Sequence, residues 1–72
     1  MKTPDRELIL EYMRQFGSIN PLQALQDIGC FRLASRISEL RKEGYNIISD
    51  RIDYTNRFGV QKHFAEYRLE EE

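Results

Sequence analysis

The stretch "SINPLQALQDIGCFRLASRISELRKEGYNI", residues 18–47, contains two helix-like segments, the first ending at Gly29 and the second at Gly44. Asn20 is a preferred N-cap residue, and Pro21 fits the first helical position because its missing N–H would have no partner there. Glycine commonly ends a helix in the left-handed conformation. The stretch therefore predicts two helices joined by a tight turn. The first of them has an apolar side that is expected to face the core: Leu22, Ala24, Leu25 and Ile28.

The second of these helices is predicted to run from about Phe31 to Glu43 and to be amphipathic. At about 100° per residue, one side collects the expected core residues. These are Cys30, Leu33, Ala34, Ile37, Leu40 and Arg41. The opposite side collects Phe31, Arg32, Ser35, Glu39 and Lys42, with Arg36 on its flank. This basic side is either a surface that binds a partner or the solvated side of an ordinary helix.

The flanking sequences predict a helix before this stretch and a β-hairpin after it. In "TPDRELILEYMRQFG", residues 3–17, Thr3 is the expected N-cap and one apolar stripe of helical period precedes Gly17. After Gly44 the apolar period changes toward two in a pair of runs, separated by "TNRFG", residues 55–59, which is typical of a hairpin loop. The expected fold class is α+β, with three helices followed by a C-terminal β-hairpin.

Length and composition favour a small binding module. The chain has 72 residues, which predicts one domain over residues 1–69 with an acidic tail at 70–72. One cysteine and one histidine cannot form an internal disulfide or the four-ligand set of a structural zinc. No glycine-rich phosphate loop is present, and we expect neither catalysis nor a cofactor. The apolar run Leu8–Leu10 is too short for a membrane span or signal peptide, so we expect a soluble, cytoplasmic protein.

Charge is unevenly distributed along the chain. The net charge is -1, which by itself disfavours a nucleic-acid partner. Residues 30–68, however, have eight basic and five acidic side chains, and the compensating excess of acid lies in Glu70, Glu71 and Glu72. The second half of the domain is therefore basic, with the acidic tail beyond it.

Nearly the whole chain resembles a winged helix-turn-helix domain. The resemblance rests on residues 18–47, and with "NRFG" in the hairpin the chain looks like the small helix-turn-helix proteins of bacteriophages and prophages. Particular points are Ala24 and Leu25 before Gly29, the pair Arg36 and Ile37, and the "EGY" exit at residues 43–45. Ser35 departs from the pattern, because simple repressor motifs have an apolar residue there. The resemblance implies a three-helix fold with the hairpin as its wing, and double-stranded DNA as the partner.

In such a domain the start of the third helix reads base edges, and residues further along contact phosphates. Arg32 and Ser35 are the expected base readers, with Arg36 beside them and Lys42 further along the helix. The alternative is that Arg32 and Arg36 are solvated and pair with carboxylates at helical spacing. Glu39 would repel phosphate, so we expect it to orient one of these arginines, with acceptance of a hydrogen bond from cytosine N4 as the alternative.

Two further expectations concern Phe31 and the wing. Phe31 is expected to pack over the second helix as part of the core rim, with contact to a thymine methyl group as the alternative. Arg57 at the hairpin tip, and Lys62 along its edge, are expected to contact the DNA backbone or minor groove. The alternative for these charges is protection of an exposed hairpin against edge pairing.

These residues favour a DNA-binding transcriptional regulator of a phage or prophage. A small domain buries little surface on DNA, so a homodimer is a further expectation, with the hairpin aromatics Tyr54, Phe58 and Phe64 as an interface. The alternative function is a protein-interaction module, in which the same scaffold binds a host or phage protein and no DNA.

Overall fold

The computed structural model describes residues 3–71, and its element order is that of the sequence prediction. Helix α1 spans Asp5–Phe16, α2 spans Pro21–Gln23 and continues into a π-helical turn at Ala24–Ile28, and α3 spans Leu33–Lys42. Strands β1 (Asn46–Thr55) and β2 (Gln61–Glu70) form an antiparallel hairpin. The predicted α+β fold of three helices and a hairpin is confirmed.

The predicted helix ends are correct except at the N-termini of α1 and α3, and α3 begins at Leu33, two residues after the predicted Phe31. Asn20 accepts a hydrogen bond from the backbone N–H of Gln23 at 2.8 Å, and the Gln23 side chain returns one at 3.0 Å. Thr3 is not the N-cap of α1, because Pro4 has an extended ψ of 145° and the helix begins after it. The Pro4 carbonyl instead accepts from the N–H groups of Glu7 and Leu8.

One hydrophobic core lies between the three helices and the base of the hairpin. Its largest fully buried side chains come from α1, the segment before α2, and α3: Ile9, Ile19, Ile37 and Leu40. Cys30 is buried among them as the small apolar residue that was expected. Ile19 also forms an isolated backbone bridge with Tyr67 of β2, at 2.8 Å in both directions, which ties the hairpin to the helices.

The second helix faces the core differently from the prediction. Ala24 is buried and Ile28 partly buried, but Leu22 and Leu25 are 61% and 42% exposed. For Leu25 the reason is local winding, because the i→i+5 pattern of the π turn changes the angular spacing that a regular helix would have. Leu22 lies before that turn, on the exposed side of α2. Ala34 in α3, another expected core residue, is also exposed. Apolar surface is therefore left uncovered where α2 meets α3.

The hairpin extends well beyond the core. Ten-residue strands span about 33 Å, and the molecule is 41 Å long. Its radius of gyration of 12.9 Å exceeds the about 11 Å expected for a compact chain of this length.

Glu70 is the last residue of β2, and Glu71 binds Arg14 of α1 through two hydrogen bonds at 2.8 and 2.9 Å. The third residue of the acidic tail, Glu72, lies outside the described residues.

No helix in residues 3–71 has the length and hydropathy that crossing a membrane requires. The same residues contain no cluster of three or more histidine, cysteine or carboxylate side chains arranged to hold a metal ion.

Candidate nucleic-acid interface

The turn between α2 and α3 fixes where the third helix begins. Gly29 has a φ of 83°, a left-handed conformation that glycine adopts without strain. Its N–H donates to the Leu25 carbonyl at 3.1 Å, and the N–H of Cys30 donates to the Ala24 carbonyl at 2.9 Å. The chain then reverses, and Arg32 becomes the N-cap residue of α3, its carbonyl accepting from the N–H of Arg36. Residues 31 and 32 thus lie at the very start of α3.

A shallow surface groove of about 490 Å³ lies at this junction. Arg32 and Ser35 line it together with Leu25 and Phe31. Arg32 is the one charged side chain among the lining residues that the structure describes, and no carboxylate shares the groove. The groove therefore combines a single cation, a hydroxyl group and exposed apolar surface.

Phe31 contradicts the expectation that it packs over the second helix. The side chain is 86% exposed, because the turn at Gly29 and Cys30 directs Cys30 into the core and leaves the next residue outside. Together with Leu25 it supplies the apolar part of the groove. The uncovered aromatic ring is thus available to a ligand at the start of α3.

Arg36 lies next to Arg32 but outside the groove, and its side chain is paired with Glu39. Its guanidinium donates to both carboxylate oxygens of Glu39, at 2.8 and 3.1 Å. This hydrogen bonding lowers the pKa of Glu39, so the carboxylate stays charged at neutral pH. The pair agrees both with the expectation that Glu39 orients an arginine and with the alternative that Arg36 pairs with a carboxylate at helical spacing. The neighbouring surface cavity also contains Asp5 and Arg6 of α1, so charges of both signs surround this pair.

The basic residues near the end of α3 differ in their surroundings. Arg41 donates from Nε and Nη2 to the carbonyl oxygen of Ile47, at 3.1 and 2.9 Å, and so joins α3 to β1. Lys42 is exposed and forms no ion pair within residues 3–71. Glu43 pairs with Arg6 at 2.6 Å, a contact between α3 and α1.

The loop of the hairpin is held by hydrogen bonds to one side chain, and it has a basic residue at its tip. The Asn56 side chain accepts from the backbone N–H groups of Phe58 and Val60, at 2.9 and 3.0 Å, as its turn chemistry predicts. Arg57 lies within this loop and is exposed, next to a Phe58 ring that is 86% exposed. Lys62 is exposed on β2, opposite Tyr54.

The six predicted site residues therefore divide into separate groups. Arg32, Ser35 and Arg36 lie together at the start of α3. Lys42 lies at the other end of that helix, and the predicted wing residues lie on the hairpin. Leu25 was missed as a site residue because helical periodicity predicted it to be buried. Arg6 was missed because its partner is 37 residues away in sequence, a contact that no local pattern signals.

A comparison with protein-family models gives one finding that covers the described fold. A family described as "Winged helix-turn-helix domain" matches residues 5–72. Neither a curated protein nor a solved structure gives a significant match to the chain.

Proposed function

Since the chain belongs to the winged helix-turn-helix domain family, we propose that it binds double-stranded DNA as a transcriptional regulator of a phage or prophage. The observation that carries this proposal is the groove at the start of α3. There Arg32 is exposed and forms no ion pair within residues 3–71, in the position from which a recognition helix reaches base edges. The regulator acts by occupying its site on DNA, without catalysis.

Arg32 is the principal base-reading residue in this proposal. A guanidinium offers two parallel donors that match O6 and N7 of guanine, and such a pair contributes about 1–3 kcal/mol of discrimination. Ser35, one turn of helix further along, is a second donor or acceptor for a base edge. Phe31 lies beside them and offers its ring to the methyl group of a thymine.

The remaining basic residues position the protein on the DNA backbone. Arg36 donates to Glu39 from Nη1 alone, so the N–H groups of Nε and Nη2 stay available for a phosphate at the flank of the groove. Lys42 contacts a phosphate from the other end of α3. Arg57, at the tip of the wing, is directed to the minor groove, where the negative potential is concentrated.

The test is a fluorescence anisotropy titration of a labelled random-sequence duplex at low and at physiological salt. We expect binding that weakens steeply with salt, because each phosphate contact releases counterions. Arg32→Ala and Arg57→Ala should reduce binding at low salt. Arg14→Ala is the matched control, since Arg14 has the same charge but binds Glu71 at the end of α1. An absence of binding at low salt would contradict the proposal.

A protein-interaction module remains the second candidate, because of the uncovered apolar surface of Leu25 and Phe31, which line the same groove. Contiguous exposed apolar patches are typical of protein-binding sites. A partner held mainly by these side chains would show little salt dependence and would be lost in Phe31→Ala but not in Arg32→Ala. For DNA the opposite is expected: Arg32→Ala should reduce binding more than Phe31→Ala does.

A further inference from the structure

The hairpin has an inner face that packs against the helices and an outer face that does not. Ile47 is buried on the inner face, and its partner Leu69 packs against the core. Since side chains alternate between the faces of a strand, the next pair, Ile48 and Arg68, lies on the outer face. Three more pairs follow it toward the tip of the hairpin: Asp50 with Glu66, Ile52 with Phe64, and Tyr54 with Lys62.

The outer face is unusually apolar for a sheet with helices on one side only. An antiparallel sheet of this kind normally alternates apolar residues inward with polar residues outward. Here Ile52 and Phe64 form a cross-strand pair on the outer face, and the Tyr54 ring lies 5.7 Å from the ring of Phe64. Tyr54 remains 46% exposed. This apolar band lies in the part of the hairpin beyond the core, where a two-stranded sheet alone is only marginally stable.

Charges flank the apolar band asymmetrically. Toward the base, Asp50 and Glu66 lie directly opposite each other, an unfavourable arrangement for two carboxylates. Arg68 binds Asp50 at 2.8 Å, whereas Glu66 has no ion-pair partner in the described part of the chain. Toward the tip lies Lys62, which also has no ion-pair partner in the described part of the chain. Glu66 and Lys62 are each two residues from Phe64, on opposite sides of it.

We propose that a second copy of this chain covers the outer face. The two copies are related by a two-fold axis that runs across the strands, parallel to the outer face and above the Ile52–Phe64 pair. Rotation about this axis places the tip of one hairpin over the base of the other. Lys62 then lies opposite the partner's Glu66, and the same ion pair forms a second time by symmetry. The apolar band packs on its own copy, and each Tyr54 hydroxyl lies near the partner's Asp50. The arrangement is self-complementary in both shape and charge.

This dimer replaces the predicted DNA contact of Lys62 by an ion pair and leaves Arg57 exposed at each tip. The face of a two-stranded sheet buries less than the roughly 800 Å² per partner of a standard interface. The dimer is therefore weak, and its population depends on the protein concentration. The dimer contains two copies of α3. A small domain buries little surface on DNA, so two copies that bind two half-sites give the specificity that one copy lacks. The proposal does not require DNA binding and is tested without DNA.

The test is sedimentation equilibrium of the full chain over a range of protein concentrations, with two charge reversals. Lys62→Glu and Glu66→Lys each put like charges together twice in the dimer, and each should raise its dissociation constant by about tenfold or more. An equimolar mixture of the two variants should dimerise as the unmodified chain does, because both cross-pairs are again opposite in sign. Pairing within one chain cannot explain this rescue, since residues four apart in a strand are about 13 Å apart.

Lys42→Glu is the matched control, because it makes the same charge change on α3 and should leave the dissociation constant unchanged. Circular dichroism of every variant monitors folding, which these exposed substitutions should preserve. A chain that stays monomeric at all concentrations would overturn the proposal. A dimer that is insensitive to both reversals, or a mixture that stays monomeric although both variants are folded, would overturn it as well.

Discussion

The two ends of α3 use their basic residues for different purposes. At the start of the helix, Arg32 is exposed beside an uncovered Phe31 and forms no ion pair within residues 3–71. Toward the end, Arg41 is committed to the Ile47 carbonyl and Glu43 to Arg6 of α1. The first end is arranged to meet a ligand. At the second end Arg41 and Glu43 hold the helix against β1 and α1, and Lys42 is the one basic residue there left unpaired in the described part of the chain.

The comparison teaches that counting basic residues in a helix overstates its capacity to bind DNA. Of the four on and just before α3, Arg36 is shared with Glu39 and Arg41 is structural, which leaves Arg32 and Lys42 unpaired in the described residues. A guanidinium that satisfies a backbone carbonyl would leave that oxygen without its partner if it turned to DNA. The difference between the two ends can be tested residue by residue.

Arg32→Ala should have the largest effect on binding. Loss of a bidentate base contact should reduce affinity for the preferred DNA site by about 1–3 kcal/mol, and affinity for random DNA by less. The measurement is a competition titration with the preferred and a random duplex, after selection of the preferred site. An equal loss on both duplexes would show that Arg32 contacts phosphate and that the start of α3 reads no base.

Arg41→Ala should affect stability instead of binding. Removing the donors to the Ile47 carbonyl should cost about 1 kcal/mol, which for a domain of this size lowers Tm by about 4–8 °C. Thermal unfolding followed by circular dichroism measures this shift, and anisotropy at a temperature where the variant is folded measures DNA affinity. A loss of affinity with an unchanged Tm would place Arg41 on DNA and break the comparison.

Glu39→Gln should have a smaller effect, of a few-fold, on binding to random DNA. The substitution removes a carboxylate near the phosphates and frees Arg36, so nonspecific affinity should rise while discrimination between sequences falls. Because Arg36 lowers the pKa of Glu39, the ion pair is present above the ordinary carboxylate pKa and is lost as the pH falls through the lowered value. Glu43→Gln serves as the control, since its partner is Arg6. An equal change in DNA affinity for Glu39→Gln and Glu43→Gln would mean that the Arg36–Glu39 pair has no specific role in DNA binding.

Lys42→Ala should have the smallest effect. A lysine that contacts one phosphate weakens binding about uniformly across sequences and reduces the salt slope by about 1. Titrations at four salt concentrations give this slope for the variant and the unmodified chain. An unchanged slope would remove Lys42 from the interface and confine DNA contact on α3 to its first turn.

Local sequence signals predicted the backbone of this domain well. Asn20 and Gly29 define the second helix, and the side chain of Asn56 organises the hairpin loop, because each acts through neighbours within a few residues. Their positions could be derived from capping and turn chemistry alone.

The side chains that shape the candidate site were harder to derive. Leu25 was expected in the core and is exposed, because the π turn departs from the regular helical period. Phe31 was expected to pack and does not, since the turn gives the available core position to Cys30. The ion pair between Glu43 and Arg6 depends on how α1 packs against α3, which no short sequence pattern predicts.

The most direct test of the difference between the two ends of α3 is an NMR titration of ¹⁵N-labelled protein with a duplex at low salt. We expect the largest amide shifts at residues 30–36 and 56–59, with small shifts at residues 39–44. Shifts concentrated at residues 39–44 and along α1, with residues 30–36 unchanged, would contradict the account.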